Sequence, residues 1–292
     1  MVSIAAMLWA LDLFFRPKAQ AGGLSDIQIV LFEHVALVLL FIPSLIKHQA
    51  EWRKLSLRGW AGLGFIAIFG SAIATIMISM AYRSGSPLLT ALLQKTQPIF
   101  AIILAGILLG EKRKLLFWPL FLGALAGTYL LAFGFGRVEF SSKVAPVFLA
   151  LGAATIWGTC TVIGRLAIKN LTPSVVAGWR FLIALPFLVA LNLGNGFSSM
   201  GAHVNGATIG LVLAIVVFPD ALGMMFYYTG LKRTPASLAT LAELAFPATA
   251  LIVSLIDQKQ SLNYVQGIGL GTLLVCLHLI QSSRSVAVAK AG

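Results

Sequence analysis

Apolar segments of about twenty residues recur along the whole chain, and only a few polar residues separate each segment from the next. A membrane-spanning helix needs about 20 mostly apolar residues, and ten segments meet that requirement. We number them spans 1 to 10: residues 2–15, 26–47, 58–82, 86–109, 114–136, 145–168, 173–195, 206–230, 235–256 and 262–282. The short connections leave no room for a soluble domain. The pattern predicts an all-α polytopic membrane protein with ten transmembrane helices.

The composition supports this prediction. Of the 292 residues 59% are hydrophobic and 10% are charged, whereas soluble domains have roughly a quarter charged residues. The net charge of +12 comes from short Lys and Arg clusters between apolar runs. Such clusters indicate membrane topology rather than nucleic-acid binding. We therefore expect the lipid bilayer, and not nucleic acid, as the surrounding partner.

The distribution of Lys and Arg also predicts an orientation. If the N-terminus lies in the cytoplasm, thirteen of these residues fall on the inside and six on the outside, while Lys95 and Arg180 remain within spans. An excess of Lys and Arg marks the cytoplasmic side of membrane proteins. The count predicts that both termini are cytoplasmic. Arg16 is among the six residues assigned to the outer connections.

The two halves of the chain resemble each other. "AAMLWA" (5–10) is similar to "AATIWG" (153–158), and "LLQKTQPIFA" (92–101) aligns with "LAELAFPATA" (241–250). We expect a first five-helix repeat in residues 1–140, a second in 141–282, and a disordered cytoplasmic tail in 283–292. Because five is odd, the second repeat enters from the opposite side. Inverted repeats around a central site are an architecture of secondary transporters.

Several residues carry a resemblance to a known family. Trp9 and Trp157 lie in spans 1 and 6, Pro98 and Pro247 in spans 4 and 9, and "LLGEK" (108–112) closes span 4. With the five-plus-five arrangement, the chain resembles EamA-type members of the drug/metabolite transporter superfamily, whose best-understood branch exports aromatic amino acids. The resemblance implies a central cavity between spans 1, 3, 4, 6, 8 and 9, with spans 5 and 10 peripheral. It also implies a bacterial cytoplasmic (inner) membrane location.

One position departs from the family's pattern. Arg180 in the second half is typical of the family, but the first half has Glu33 at the aligned position. This difference argues against a simple symmetric mechanism.

Ionisable residues inside spans indicate function, because burying them is costly unless they face a cavity or a partner. From the 1.5 Å rise per residue, Lys95 lies roughly 13 Å from the outer end of span 4, and Glu243 about 12 Å from the inner end of span 9. The two depths predict a Lys95–Glu243 pair near the midplane, next to Gln94. The pair could contact a substrate or could only hold span 4 against span 9.

The two prolines add to this site. A proline removes the hydrogen bond to the carbonyl four residues earlier, which is that of Gln94 for Pro98 and that of Glu243 for Pro247. We therefore expect two helix kinks, each with a freed carbonyl beside a polar side chain. Such a patch suits an ammonium, a carboxylate or a proton.

Other polar residues give weaker hypotheses. Arg180 and Asp220 have matching depths and predict a second ion pair or a gate. Glu33 and His34 could form a proton relay, because a carboxylate in apolar surroundings and an imidazole both titrate near neutral pH; a packed hydrogen-bonded pair is an equal alternative. Asp12 is expected to be solvated near a helix end.

Aromatic residues on the lining spans could stack on a flat substrate or hold a cation. The alternative for aromatic residues near helix ends is the membrane interface. The candidates are Trp9, Tyr82, Phe100, Trp157, Tyr227 and Tyr228.

Small residues and cysteines suggest packing rather than chemistry. Gly123–Gly127 in span 5 and Gly267–Gly271 in span 10 allow close helix approach. These glycines could serve helix packing within a monomer or a homodimer contact through the same faces. Cys160 and Cys276 lie in apolar segments, without the spacing of a metal site. We expect no metal and no cofactor.

These observations favour a secondary transporter for small organic metabolites such as amino acids, and the resemblance implies the export direction. Its site would lie at the midplane between spans 4 and 9, and alternating access would expose it to each side. The chain contains no P-loop. Coupling to protons through Glu33 or Glu243 and uncoupled facilitation both remain open, and an aromatic cation or a nucleoside would suit the site as well as a zwitterion.

Two other classes are weaker alternatives. A non-transporting membrane sensor or assembly partner would not need midplane charges in both halves. An intramembrane lipid-modifying enzyme would need clustered carboxylates for Mg²⁺ or an activated nucleophile, but the nine acidic residues are scattered. We do not expect an enzyme.

Overall fold

The computed structural model describes residues 1–84, 90, 93–133, 144–167, 171–194, 205–258, 263–282 and 286–288. Helices account for most of these residues. The α-helices are α1 Val2–Ala10, α2 Asp12–Ala21, α3 Asp26–Lys47, α4 Gln49–Trp52, α5 Leu57–Phe65, α6 Ala74–Ser84, α7 Gln97–Leu109, α8 Phe117–Phe133, α9 Ala145–Ala167, α10 Pro173–Gly194, α11 Gly206–Ile215, α12 Gly223–Leu231, α13 Ala236–Ala242, α14 Ala245–Gln258 and α15 Tyr264–Ser282. Two π-helical segments, π1 Ile66–Ile73 and π2 Val216–Leu222, and two strands, β1 Glu111–Arg113 and β2 Val286–Val288, complete the described elements.

Five continuous helical stretches are long and apolar enough to cross a membrane. They are Asp26–Lys47, Leu57–Ser84, Ala145–Ala167, Pro173–Gly194 and Gly206–Leu231. Many large apolar side chains on the helices remain exposed in the folded chain. A soluble monomer rarely exposes so much contiguous apolar surface, whereas lipid tails can cover it. The chain is therefore an all-α integral membrane protein.

The N-terminal helical region is longer than predicted. Span 1 was expected to end at residue 15, but α2 continues to Ala21 after a break at Leu11. Arg16 therefore lies in a helix with 3% of its surface exposed, and its assignment to an outer connection was wrong. The sequence hid this because Pro17 and Lys18 follow Arg16 and are typical of a helix end.

Two π-helical segments interrupt long helices in the middle. In π2, Pro219 lacks the N–H that an α-helical ladder needs, and its ring pushes away the preceding turn. In π1, Gly70 and Ser71 form the kind of small-residue pair at which helices deform. A π turn widens the helix and is frequent at functional sites. Both segments deliver backbone or side-chain groups to the interior described below.

Two further helices break close to a proline. The chain makes a turn at residues 95–96, just before α7, and a second turn at residues 243–244, between α13 and α14. Pro98 and Pro247 follow these turns by two and three residues. The polar side chains of the two turns therefore stand at the ends of short helices, inside the protein.

One detail of the predicted kinks is wrong. The Glu243 carbonyl was expected to be free because Pro247 cannot donate to it. Instead it accepts a hydrogen bond of 3.0 Å from the Phe246 N–H. The backbone tightens to an i+3 bond at the break, which is a common way of satisfying carbonyls at a helix terminus.

Helices α8 and α15 pack closely against each other, away from the interior. A Cβ atom at Gly127 would lie 2.7 Å from the Leu273 nitrogen and 2.8 Å from the Gly269 oxygen, and one at Gly123 would lie 2.8 Å from the Cys276 sulfur. The glycines of α8 thus serve contact within the chain. This arrangement does not support a homodimer through the predicted glycine faces.

The C-terminal tail contains a strand. Val286–Val288 pairs in antiparallel fashion with Glu111–Arg113, so the prediction of disorder is wrong for these three residues. Backbone pairing with an exposed edge orders a segment that has too little apolar surface to order itself. The predicted boundary between the halves, at residue 140, lies outside the described residues.

Candidate functional site

A cavity of about 130 Å³ lies between the two halves of the chain. Its lining residues come from α1, α2, α6, α7, α9, α10, π2, α12 and α14 and from both proline-associated turns. They are Trp9, Asp12, Leu13, Arg16, Thr75, Ile78, Tyr82, Gln94, Lys95, Gln97, Trp157, Cys160, Thr161, Arg180, Pro219, Asp220, Met224, Tyr227, Tyr228, Glu243 and Phe246. Among the described residues, α8 and α15 contribute none of the lining. The cavity thus involves spans 1, 3, 4, 6, 8 and 9, with Arg180 added from span 7.

The two helix breaks meet at this cavity. The Gln97 Nε2 donates a hydrogen bond of 2.9 Å to the Glu243 Oε2. The Lys95 Nζ lies 3.7 Å from the centroid of the Phe246 ring. Lys95 and Glu243 both line the cavity, and the pair between them stays a prediction. The segment before Pro98 thus contributes Gln97 and Lys95, and the segment before Pro247 contributes their partners, Glu243 and Phe246.

Gln94 and Tyr82 extend the polar wall. The Tyr82 hydroxyl donates a hydrogen bond of 3.1 Å to the Gln94 Oε1. Both residues line the cavity. The bond leaves the Gln94 amide nitrogen as a donor that can face a ligand.

Three aromatic side chains form an apolar wall. The Trp9 and Tyr227 ring centroids are 5.1 Å apart, with the rings tilted by 51°. The Tyr227 hydroxyl lies 2.7 Å from the Thr161 hydroxyl. The Trp157 Nε1 donates 2.8 Å to the Gly70 carbonyl in π1. These hydrogen bonds fix the polar edges of Tyr227 and Trp157, and all three aromatic residues line the cavity.

Phe100 lies elsewhere. It is absent from the cavity lining, and its Cβ would be 3.0 Å from a Cβ placed at Gly158. Phe100 thus lies close to Gly158 of α9, and its role in substrate binding stays a prediction.

Arg180 is buried and held by neutral groups. Its guanidinium donates 3.1 Å to the Tyr228 hydroxyl, and its Nε donates to the Ser71 hydroxyl in π1. The predicted ion pair with Asp220 is wrong, because no direct contact between the two is present in this described part of the site. Depth along a helix fixes the level of a side chain, but not the direction in which it points. Arg180 therefore lines the cavity with neutral hydrogen-bond partners.

The first half contains a buried network that the sequence did not predict. The Arg16 Nε lies 2.7 Å from the Asp12 Oδ2, and its Nη2 lies 2.9 Å from the Glu33 Oε1. Asp12 is thus an ion-pair partner rather than a solvated residue. Glu33 does not form the predicted relay with His34, whose Nδ1 instead donates 2.7 Å to the Val30 carbonyl.

Several lining residues were not predicted from the sequence, among them Arg16, Gln97 and Phe246. Two signals could have found them. Gln97 and Phe246 occupy the same column when "LLQKTQPIFA" is aligned with "LAELAFPATA". Arg16 follows Asp12 by four residues, which is the spacing of a helical ion pair.

The site is suited to binding. It offers aromatic faces, fixed cations, amides and a carboxylate in a buried cavity, which are the features of small-molecule sites. In the described part of the chain, no group of three His, Cys, Asp or Glu side chains could hold a metal ion. The lining fits a flat solute that carries several hydrogen-bonding groups.

Comparison with known proteins agrees with this description. The sequence profile of the EamA-like transporter family matches residues 1–133 and 144–281. The riboflavin transporter ImpX of Fusobacterium nucleatum is 31% identical over 279 residues, which cover 91% of each chain. An uncharacterized transporter of Clostridium kluyveri is 25% identical over 273 residues, covering 88% of this chain and 84% of that one.

The fold also has a counterpart among solved structures. A crystal structure superposes with a TM-score of 0.76 at 17% identity and covers 97% of this chain and 96% of that one. At that identity the likeness concerns the fold alone. The profile match extends over nearly the whole chain and its relatives are named as transporters; the chain therefore belongs to the EamA-like transporter family, within the drug/metabolite transporter superfamily.

Proposed function

We propose that the protein is a secondary transporter that carries a small, flat, polar organic solute through the cavity by alternating access. One observation carries this proposal: the Gln97–Glu243 and Lys95–Phe246 contacts join two interrupted helices, one from each half, at the wall of a buried cavity. Interrupted helices at a central site are a recurrent feature of secondary transporters. Rocking one half against the other would open these contacts toward one side of the membrane at a time.

The proposed architecture has ten spans in two inverted repeats, residues 1–140 and 141–282. Matching features support it. A π-helical segment interrupts the third long helix of each half, and a turn precedes Pro98 and Pro247. The solute would then lie near the midplane, between spans 4 and 9.

For the substrate we propose a flat heteroaromatic compound of the riboflavin kind. The relative from Fusobacterium nucleatum is named a riboflavin transporter. Riboflavin has a planar ring system with carbonyl and N–H groups and a chain of hydroxyls. Trp9, Trp157 and Tyr227 present faces on which such a ring can stack. Gln94, Arg180 and Glu243 provide donors and acceptors for its polar edge.

Export of amino acids is the second candidate. Lys95 and Arg180 are cations, and Glu243 is an acid, in the same cavity. A zwitterion with an aromatic side chain could place its carboxylate against a cation and its ammonium against Glu243. The outward direction follows from the resemblance to exporters.

Counterflow in proteoliposomes tests the substrate class. Purified protein is reconstituted with unlabelled riboflavin inside, and entry of labelled riboflavin is followed; parallel vesicles hold phenylalanine, and empty liposomes give the background. We expect protein-dependent riboflavin counterflow that phenylalanine does not match. Phenylalanine counterflow without riboflavin counterflow would favour the second candidate, and neither would contradict the proposed function.

We further propose that both termini lie in the cytoplasm and that the membrane is a bacterial cytoplasmic membrane. The excess of Lys and Arg on the assigned inner side supports the orientation. The burial of Arg16 removes one cation from the outer side and so strengthens that asymmetry. A fluorescent reporter that matures only in the cytoplasm, fused to the C-terminus, should be bright; a dark but full-length fusion would reverse the topology.

A further inference from the structure

Asp220 and Ser71 occupy matching places in the two halves. Each lies two residues before the end of its π-helical segment. Ser71 accepts a hydrogen bond from Arg180. In the alignment of the halves, the position of Arg180 is taken by Glu33. The counterpart of an arginine–serine contact is therefore a pair of acids.

Arg16 on α2 is the basic residue that contacts the acids of this region. It contacts Asp12 at 2.7 Å and Glu33 at 2.9 Å, with 3% of Arg16 and 2% of Glu33 exposed. Its Nη1 is buried and makes no hydrogen bond to protein, and the same is true of the Asp220 Oδ2. A donor and an acceptor without protein partners thus remain in the lining of one cavity. Buried polar atoms of this kind are costly unless something binds to them.

The charges around Asp220 do not balance. Arg16 and Asp12 on α2 and Arg180 on α10 line the same cavity as Asp220, and Glu33 on α3 contacts Arg16. With Asp220 ionised, this region holds three carboxylates and two guanidiniums. His34 on α3 does not compensate, because its ring packs against Phe181 and its Nδ1 bonds to a carbonyl. An excess buried charge is most simply removed by binding a proton.

We propose that Asp220, with Glu33, Asp12 and Arg16, is a proton-binding site that couples proton movement to transport. It rests on the proposed function. A proton from water on one side binds the Asp220 carboxylate and leaves the Asp12–Arg16–Glu33 network intact. When that proton departs to the other side, the ionised Asp220 competes for the free Nη1 of Arg16. Because Arg16 belongs to the first half and Asp220 to the second, this competition moves the halves relative to each other.

The proton is favoured over a metal ion. The described residues contain no group of three suitable ligands placed to hold a metal. Arg16 also fills the space between Asp12 and Glu33, where a metal ion would have to lie. Glu243, which accepts a hydrogen bond from the Gln97 amide, remains available to bind the solute.

The test compares Asp220→Asn with Asp26→Asn in proteoliposomes. Asp26 is a matched control, since it is a buried acid that contacts an arginine, Arg83, at 3.2 Å, but does not line the cavity. Two rates are measured for riboflavin: uptake driven by a pH gradient, and counterflow without a gradient. One pH unit is a tenfold difference in proton activity, so one-to-one coupling allows accumulation of up to about tenfold. The ratio of the two rates separates coupling from transport itself.

We expect the ratio of pH-driven uptake to counterflow to be high in the wild type and in Asp26→Asn. In Asp220→Asn, uptake with a pH gradient should be no faster than uptake without one. An unchanged ratio in Asp220→Asn would overturn the inference. A wild type driven by a sodium gradient and indifferent to pH would overturn it too. Absence of all riboflavin counterflow would instead contradict the proposed substrate.

A measurement that needs no solute distinguishes failure of the proton-site inference from failure of the proposed substrate. Infrared difference spectra between alkaline and acidic pH report protonation of buried carboxyl groups. We expect a protonated-carboxyl band in the wild type that Asp220→Asn lacks and Asp26→Asn retains. The same band in all three proteins would exclude Asp220 as the proton site, whatever solute the protein carries.

Discussion

The Gln97 amide donates a hydrogen bond to the Glu243 carboxylate over 2.9 Å, across 146 positions of sequence. This contact joins the helix break before Pro98 to the helix break before Pro247. Since it lies at the cavity wall, any relative movement of the two breaks must stretch or replace it. The bond therefore links the stability of this conformation to the geometry of the proposed solute site.

Replacing Gln97 should destabilise the folded protein. Gln97→Ala leaves the buried Glu243 carboxylate without its donor, and an unsatisfied buried polar group costs about 1–3 kcal/mol. Thermal unfolding in detergent should show a lower midpoint for Gln97→Ala than for Gln49→Ala, which removes an exposed amide. Equal midpoints for the two variants would mean that the bond contributes nothing.

Lys95 and Phe246 should show energetic coupling. A cation above an aromatic ring is worth about 2 kcal/mol when both are shielded from water, and about 0.5–1 kcal/mol at exposed sites. A double-mutant cycle with Lys95→Met and Phe246→Leu should therefore give a larger coupling energy than a cycle with Arg53→Met and Trp52→Leu, whose groups are 5.7 Å apart at the surface. Additive effects at Lys95 and Phe246 would refute the contact.

Glu111 should stabilise the start of α13. Its carboxylate accepts hydrogen bonds from the Ala236 N–H at 2.7 Å and the Ser237 N–H at 3.1 Å, and also from the Ser237 hydroxyl. Loss of a helix cap costs about 0.5–2 kcal/mol. Glu111→Ala should lower the unfolding midpoint, and Glu111→Gln should recover part of the loss. Lys112→Ala, at the exposed neighbouring residue, is the control. If the unfolding midpoint of Glu111→Ala is no lower than that of Lys112→Ala, the capping role is contradicted.

The glycines of α8 and α15 should respond differently to substitution. A Cβ at Gly127 meets backbone atoms of α15 at 2.7–2.8 Å, whereas one at Gly271 meets nothing within 4 Å. Overpacking typically costs 1–3 kcal/mol. Gly127→Ala should lower the unfolding midpoint, and Gly271→Ala should leave it close to that of the wild type. The reverse order would show that the helices pack through another face.

The sequence predicted the helical membrane architecture because span length and hydropathy are local properties. It also identified most of the polar residues that line the cavity, since an ionisable side chain in a span needs a partner or a cavity. It did not predict the contacts with Phe246, Gln97 and Ser71, because depth was deduced from a uniform rise per residue. Lys95 and Asp220 lie in a turn and a π-helical segment, which rotate side chains away from that regular course.

Arg16 illustrates a second limit. A cation followed by Pro17 and Lys18 has the composition of a connection between spans. Only the contacts with Asp12 and Glu33 show why the helix continues through it. The spacing of Asp12 and Arg16 is visible in the sequence, but the contact with Glu33 on another helix is not.

Filling the cavity with a bulky side chain tests whether the cavity binds the solute. Thr75 lines the cavity, whereas Thr155 lies on the exposed face of α9, so Thr75→Trp and Thr155→Trp add the same bulk in different places. Riboflavin affinity of the purified proteins is measured by fluorescence titration, with unfolding midpoints to verify folding. We expect Thr75→Trp to weaken riboflavin binding by at least about tenfold, or 1.4 kcal/mol, and Thr155→Trp to bind like the wild type. A folded Thr75→Trp protein with wild-type affinity would contradict this expectation.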